Sequence, residues 1–219
     1  MAMTPVSVNK TEAAYNLLER MIIFRELEPG SMVSEKQLAE SLGLGRTPVR
    51  EALQRLSYER MAEIHPRRGI QIPAISVESQ LKILEVRRDI EALCVSYAAS
   101  RATVQEKQQM LELASNLEAC AQHQDDLTFS SLLKQIHSLL VKAANNEYLQ
   151  LAMAPLQGLS RRFWFAYKND HSDLAQASAL HAAILRAVSH TDAKEAVAAS
   201  HRLNDYLTDM AYRSLTARK

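Results

Sequence analysis

The stretch SEKQLAESLGLGRTPVREALQRLSYERMAEIHPRRG, between Ser34 and Gly69, carries more backbone instruction than any other part of the chain. Ser34 followed by Gln37 has the spacing of a capping box, in which the serine oxygen and the glutamine amide satisfy amides left over at a helix start. A short helix therefore opens at Glu35, with Leu38, Ala39 and Leu42 on its apolar side. Gly43 ends it, because glycine enters the left-handed conformation at little cost. A turn through Leu44 and Gly45 leads to Arg46, Thr47 and Pro48. A proline is harmless at the first helical position, where its missing amide would have had no partner. A second helix is predicted to start there and to bury Val49, Ala52, Leu53 and Leu56. Helix, glycine turn and helix make a helix-turn-helix. The extended runs Glu63–His65 and Ile70–Ile72, on either side of Pro66-Arg67-Arg68-Gly69, add a small hairpin, or wing.

The flanking sequence extends this plan. Residues 1 to 10 show no periodicity and are expected to be a flexible tail, while Thr11 to Arg25 places Ala14, Leu17, Leu18, Met21 and Ile22 on one helical face, ended by Pro29-Gly30. From Val77 onward there is almost no glycine or proline and no strand-like alternation. Capping residues divide this half into six predicted helices. The first spans about 77 to 101 and is expected to bury Ile83, Val86, Ile90, Leu93 and Tyr97. The second opens on Thr103-x-x-Glu106, the third follows Asp125-Asp126 and ends at Asn145-Asn146, and the fourth runs from about Glu147 to Lys168, with Pro155 expected to kink or restart it. The last two start near Ser172-Asp173 and Thr191-Asp192. The expected fold is mainly α: a winged helix-turn-helix domain over 11–74, a short linker at 75–78, and an antiparallel six-helix bundle over 79–219. So short a linker should make the two domains move together.

Charge and composition narrow the classes. With 219 residues, 47% of them hydrophobic, the chain is long enough for two compact domains. No apolar run reaches the roughly 18 residues of a membrane span, and the N-terminus lacks a secretory hydrophobic region, so a soluble cytoplasmic protein with no membrane partner is expected. Cys94 and Cys120 have no metal-binding spacing and sit among apolar neighbours, which favours buried free thiols. Net charge is only +1, too little for sequence-blind coating of nucleic acid. Between residues 46 and 68, however, six arginines stand against three glutamates, a focused basic patch suited to specific binding.

The run Gly45-Arg46-Thr47-Pro48-Val49-Arg50-Glu51-Ala52-Leu53, with the wing behind it, resembles the winged helix-turn-helix of GntR-type bacterial transcription regulators. Only its first position departs, Gly45 standing where the family has a hydroxyl residue. The second half resembles the all-helical effector domain, of FCD type, of the FadR branch of that family. The residues that carry this likeness are Arg87-x-x-Ile90-Glu91, Ile136-His137 ahead of Ala143-Ala144-Asn145-Asn146, His181-x-x-Ile184, and Ala196-x-x-x-Ser200-His201.

The candidate site residues fall in both halves. Arg46 and Arg50 lie four apart at the start of the second helix, so both project from one side of its first turn, and their forked guanidinium groups match the paired acceptors of guanine. They are the candidates for reading bases from the Pro48-started helix, with Lys36 and Thr47 on phosphates and Arg67, Arg68 and Gly69 at a minor groove or the backbone. The competing reading is a solvated basic helix face. His137 and His181 should point into the bundle, with His201 at the margin of its apolar stripe, and three histidines on three helices could meet at one point, as bundle metal sites do. The resemblance implies such a site, since many members hold a divalent metal with three histidines and an aspartate four residues before the first. That position is Leu133 here, and Asp205, one turn after His201, is the residue that could compensate. Zinc is the favoured ion, with nickel the other candidate; the alternative is buried histidines satisfied by hydrogen bonds. Arg87 shares a face with Ile83, Ile90 and Cys94, an expensive place for a charge unless an anion joins it. Glu91 is one candidate partner and a small carboxylate effector is the other, with Arg161, Arg162, Trp164 and Tyr167 as secondary candidates for the pocket wall. Two functions are weighed: a ligand-responsive regulator, more a repressor than an activator, that binds a palindromic double-stranded operator as a homodimer, and a helical metalloenzyme carrying an appended DNA-binding head.

Overall fold

A computed structural model describes residues 9–168 and 171–216; the expected tail over residues 1–8 lies outside them. The chain divides into two compact units, one ending at Ile75 and the other beginning at Ser76.

The first unit opens with α1 (Lys10–Ile23), whose N-cap Asn9 accepts from the amides of Thr11 and Glu12. Strand β1 (Met32–Val33) precedes α2 (Glu35–Leu42), which has both halves of the capping box between Ser34 and Gln37 and ends on Gly43 at a φ of 63°. The next helix, α3 (Arg46–Tyr58), starts two residues earlier than the proline suggested. Gly45 is its N-cap and Pro48 its third residue, still within the first turn, where a backbone amide has no partner inside the helix. Ala14, Leu18 and Ile22 of α1 are buried, as are Val49, Ala52, Leu53 and Leu56 of α3, and these two helices pack on each other. The wing consists of β2 (Glu63–His65) and β3 (Gly69–Gln71), and β1 joins it on the other edge of β3 to give an antiparallel sheet of order β1-β3-β2. A two-residue strand leaves no alternation in the sequence, which is why β1 was not legible there.

The second unit comprises α4 (Val77–Arg101), α5 (Val104–His123), α6 (Asp126–Ala144), α7 (Glu147–Tyr167), α8 (His171–Ser189) and α9 (Ala193–Thr216). The capping box of Thr103 and Glu106 starts α5, and Asn145 ends α6 at a φ of 48°. Helix α7 continues through Pro155 without interruption. Leu151, whose carbonyl loses its amide partner to the proline, stands at an exposed position where water can replace it. One hydrophobic core joins all six helices, with α4 lying along α9 and α5 along α8. Cys94 and Cys120 are buried free thiols, and burial followed by the nearby Glu91 carboxylate pushes the Cys94 thiol up to about 12.

The buried face of α4 corrects the sequence reading. Val86 and Leu93, expected inside, are 51% and 43% exposed, and the helix instead buries Gln80, Leu84, Arg87, Glu91, Cys94, Val95 and Ala98. Apolar residues surround this helix almost evenly, so their spacing does not pick out a face. The polar residues on the inner face are paired: Arg87 bonds Glu91, and Gln80 donates to the Ser160 hydroxyl at 3.4 Å.

Gly69 tests the wing. Its φ is +107°, and a Cβ there would lie 2.7 Å from the carbonyl oxygen of Val33 in β1. Gly69→Ala is expected to cost about 1–3 kcal/mol of first-unit stability by thermal unfolding. A melting temperature equal to that of the parent would contradict this packing of β3 on β1.

Candidate nucleic-acid interface and helical cavity

The start of α3 presents its polar side outward: Arg46, Thr47 and Arg50 are exposed, and Pro48 is half-buried beneath them. Arg50 is held. Its Nε and Nη2 donate to the two carboxylate oxygens of Glu35, each at 2.9 Å, so the first turn of α2 fixes the fork of the first turn of α3. This hydrogen bonding holds the Glu35 carboxyl below the usual carboxylate range, helped by the charges of Arg50 and Arg46. Lys36 is exposed and lies 3.8 Å from Glu40. In the wing, Arg67 and Arg68 are exposed, whereas Gly69 is half-buried against β1. Arg55 is exposed but engaged with α1 and the end of its own helix. It bonds Glu12 and Glu59 and lies 3.7 Å from the centre of the Tyr15 ring. Neither the Glu35–Arg50 clasp nor the Glu12–Arg55 pair leaves a local signal, because each joins residues 15 or more positions apart.

Inside the helical unit, α4, α6, α7, α8 and α9 line a narrow cavity of about 20 Å³, room for about one water molecule. Its polar lining is Arg87, His137, Ser160, Arg161 and His181, set among Phe129, Leu133, Trp164, Ala177 and Leu207. None of these described lining residues is acidic. Arg87 is clasped from behind by Glu91, through bonds of 3.0 and 3.1 Å from Nε and Nη2, and both side chains are about 97% buried. The rings of His137 and His181 stand 5.9 Å apart. His181 has a partner for Nδ1 in the carbonyl of Ala177 at 2.8 Å, but neither ring nitrogen of His137 has one. Burial, then the charge of Arg87, drives the His137 pKa well below the ordinary histidine value, with His181 and Arg161 adding to the effect. Burial likewise pushes His181 down to about 4. Both imidazoles are therefore uncharged at neutral pH.

Residues 10–72 match the family described as bacterial regulatory proteins, gntR family, and residues 82–205 match the FCD domain family, more than half of the chain. The chain belongs to the GntR family and carries its FCD domain. The uncharacterized HTH-type transcriptional regulator YdhC of Bacillus subtilis (strain 168) is 30% identical over 62% of this chain and 61% of its own length. The HTH-type transcriptional regulator McbR of Escherichia coli (strain K12) is 31% identical over 55% of this chain and 54% of its own length. The chain thus spans between half and two thirds of these two relatives. The HTH-type transcriptional repressor GlaR of Escherichia coli (strain K12) is 29% identical over 70% of this chain and 71% of its own length. Among solved structures, Escherichia coli McbR/YncC superposes with a TM-score of 0.78 at 21% identity, covering 95% of this chain and 99% of that one, a likeness of fold.

The FCD metal centre expected from the resemblance is not assembled here. Among the described residues no three His, Cys, Asp or Glu side chains are placed to share an ion. His137 and His181 meet in the cavity, but His201 is half-buried on α9 and does not line it. Asp205, proposed above to compensate for Leu133, is 61% exposed and paired with Arg88 on the outside of the unit. Leu133 itself lines the cavity, so an apolar group occupies the place of the anionic ligand, and the guanidinium groups of Arg87 and Arg161 repel a cation. The residues present do not fit zinc or nickel. Arg161 and Trp164 do line the cavity, whereas Arg162 and Tyr167 do not.

The two imidazoles make stability depend on acid. The folded chain holds both below the ordinary value of 6.5, so as pH falls through about 6.5 towards 4 the unfolded chain takes up protons first and stability is lost across that window. His137→Leu removes a buried group that lacks partners, which costs about 1–3 kcal/mol to keep. The variant is expected to melt a few degrees higher at neutral pH and to lose less stability on acidification. A lower melting temperature at neutral pH would contradict the unpartnered state of this ring.

Proposed function

We propose that the chain is a ligand-responsive transcription regulator whose first unit reads a palindromic double-stranded operator and whose helical unit senses a small organic carboxylate. The observation that carries this reading is the exposed pair Arg46 and Arg50 at the start of α3, with the Arg50 fork already oriented by Glu35. A fork fixed before binding loses less entropy when it meets the two acceptors of a guanine. In this reading Arg46 and Arg50 contact bases, Lys36, Thr47 and the amides around Pro48 contact phosphates, and Arg67 and Arg68 of the wing reach the backbone or a minor groove. Gly69 serves by letting β3 approach β1.

One such helix, with few basic residues, supplies too little specific affinity alone. The active species is therefore a homodimer whose two reading heads address half-sites roughly 34 Å apart. Effector binding in the helical unit alters the freedom or spacing of those heads through the short connection Ile72–Ser76, a coupling of two sites in the thermodynamic sense. Repression is the proposed output, favoured by the repressor name of the relative GlaR. The metalloenzyme reading has no support: His201 stands apart from the other two histidines, and the relatives are named as regulators.

The test is selection of bound duplexes from a random-sequence pool, followed by anisotropy titration of the selected site. Arg50→Ala is expected to weaken binding by about 10- to 100-fold and to relax one position in each half-site. Unchanged affinity and sequence preference would overturn the assignment of this residue.

A further inference from the structure

Glu35 stands where a carboxylate has no obvious use. An exposed ion pair adds little to stability, and a negative charge beside a DNA-reading surface opposes the attraction to phosphates on which all duplex binding draws. Glu35 nevertheless commits both of its oxygens to Arg50, accepting from Nε and Nη2 at 2.9 Å each. The side chain of Glu35 is 25% exposed and that of Arg50 62%, so the carboxylate sits behind and the guanidinium in front. Arg46 lies near enough for its charge to act on the same carboxylate.

A guanidinium has five N–H donors and two forked edges, one made by Nε and Nη2, the other by Nη1 and Nη2. Glu35 occupies the first edge. The second keeps two parallel N–H groups at the outer end of the side chain, and the adjacent O6 and N7 acceptors of guanine match such a pair. An arginine without the clasp could turn either fork to a phosphate, which also accepts two parallel bonds.

We infer that Glu35 is a specificity-determining positioning residue: it holds Arg50 by the Nε–Nη2 edge, presents the Nη1–Nη2 edge to the major groove, and gives up phosphate attraction for discrimination in favour of guanine. The inference rests on the base-reading role proposed above for Arg50 and deepens it. Glu35 acts through Arg50 rather than on a base. Repulsion between its carboxylate and the phosphates weakens binding to every duplex, and the fixed edge offsets that loss only where a guanine stands opposite Arg50. The pair thus lowers sequence-blind binding more than binding to the matched site.

The experiment uses the full chain and anisotropy titration at one fixed salt concentration with three duplexes: the selected site, the same site with the guanine replaced at the position that Arg50→Ala relaxes, and an unrelated sequence. Discrimination is the ratio of the first two affinities. Glu35→Gln keeps the shape of the side chain and removes its charge. It is expected to lower discrimination at least threefold and to bind the unrelated duplex no more weakly than the parent. In an Arg50→Ala background the same substitution is expected to leave discrimination unchanged, because the partner through which it acts is gone. Glu28→Gln, the same change of charge at an exposed position between α1 and β1, is expected to leave discrimination at the parent value. Circular dichroism establishes that each variant is folded, and Glu35→Ala takes the place of Glu35→Gln if the latter does not fold.

A smaller fall in discrimination, an equal loss of affinity on all three duplexes, weaker binding of the unrelated duplex, an effect that persists without Arg50, or the same effect in Glu28→Gln would each overturn the role of Glu35. Relaxation of one position by Arg50→Ala but not by Glu35→Gln counts against this inference alone. If Arg50→Ala relaxes no position, the base-reading role of Arg50 fails and the inference fails with it.

Discussion

Arg87 and Glu91 face each other one helical turn apart, both almost wholly buried, through bonds of 3.0 and 3.1 Å. Removing two charges from water costs several kcal/mol each before their attraction returns anything, and replacing such pairs with apolar residues is often neutral or stabilising. A bundle built only for stability has no use for them. The inward face of α4 carries Gln80, Arg87 and Glu91, while Val86 and Leu93 remain exposed. It also puts a fixed positive group beside His137 and His181, and this charge adds to burial in keeping both rings neutral. The positive charge at the cavity wall and its misfit with a metal cation follow from that one buried guanidinium and its neighbour Arg161.

The first unit uses the same device on its surface. Glu35 clasps Arg50 bidentately, as Glu91 clasps Arg87, so in both units a carboxylate holds a guanidinium in one orientation. The setting decides the consequence. At the exposed start of α3 the clasp costs little and is screened by salt. In the bundle both side chains are almost wholly buried, and the guanidinium adds a fixed positive charge to the cavity wall.

Elements with strong local chemistry were legible in the sequence. The capping boxes at Ser34 and Thr103, the left-handed ends at Gly43 and Asn145, and the glycine-proline punctuation around α3 are decided by residues within four positions of one another. Features joining distant residues were not. β1 exists because β3 offers it an edge, Glu35 meets Arg50 across a turn, and Asp205 finds Arg88 from the far end of the unit. The cavity is legible in part: helical faces point Arg87, His137 and His181 inward, Arg161 and Trp164 enter only as secondary candidates for a pocket wall, and all five line it. His201 was misassigned because its place at the margin of an apolar stripe does not fix which way the stripe turns. Ser160 was missed, since a lone serine on a helix gives no signal of what faces it.

Burial, with the charge of Arg87 beside it, keeps His137 and His181 uncharged and away from metal. Nitrogen chemical shifts of the imidazole rings, measured on the full chain labelled at histidine and assigned by His137→Leu, His181→Leu and His201→Ala, report both protonation and metal ligation. At neutral pH the account requires neutral-ring shifts for His137 and His181 that do not move when zinc is added. Imidazolium shifts at these two positions, or a joint zinc-dependent change at His137, His181 and His201, would contradict it.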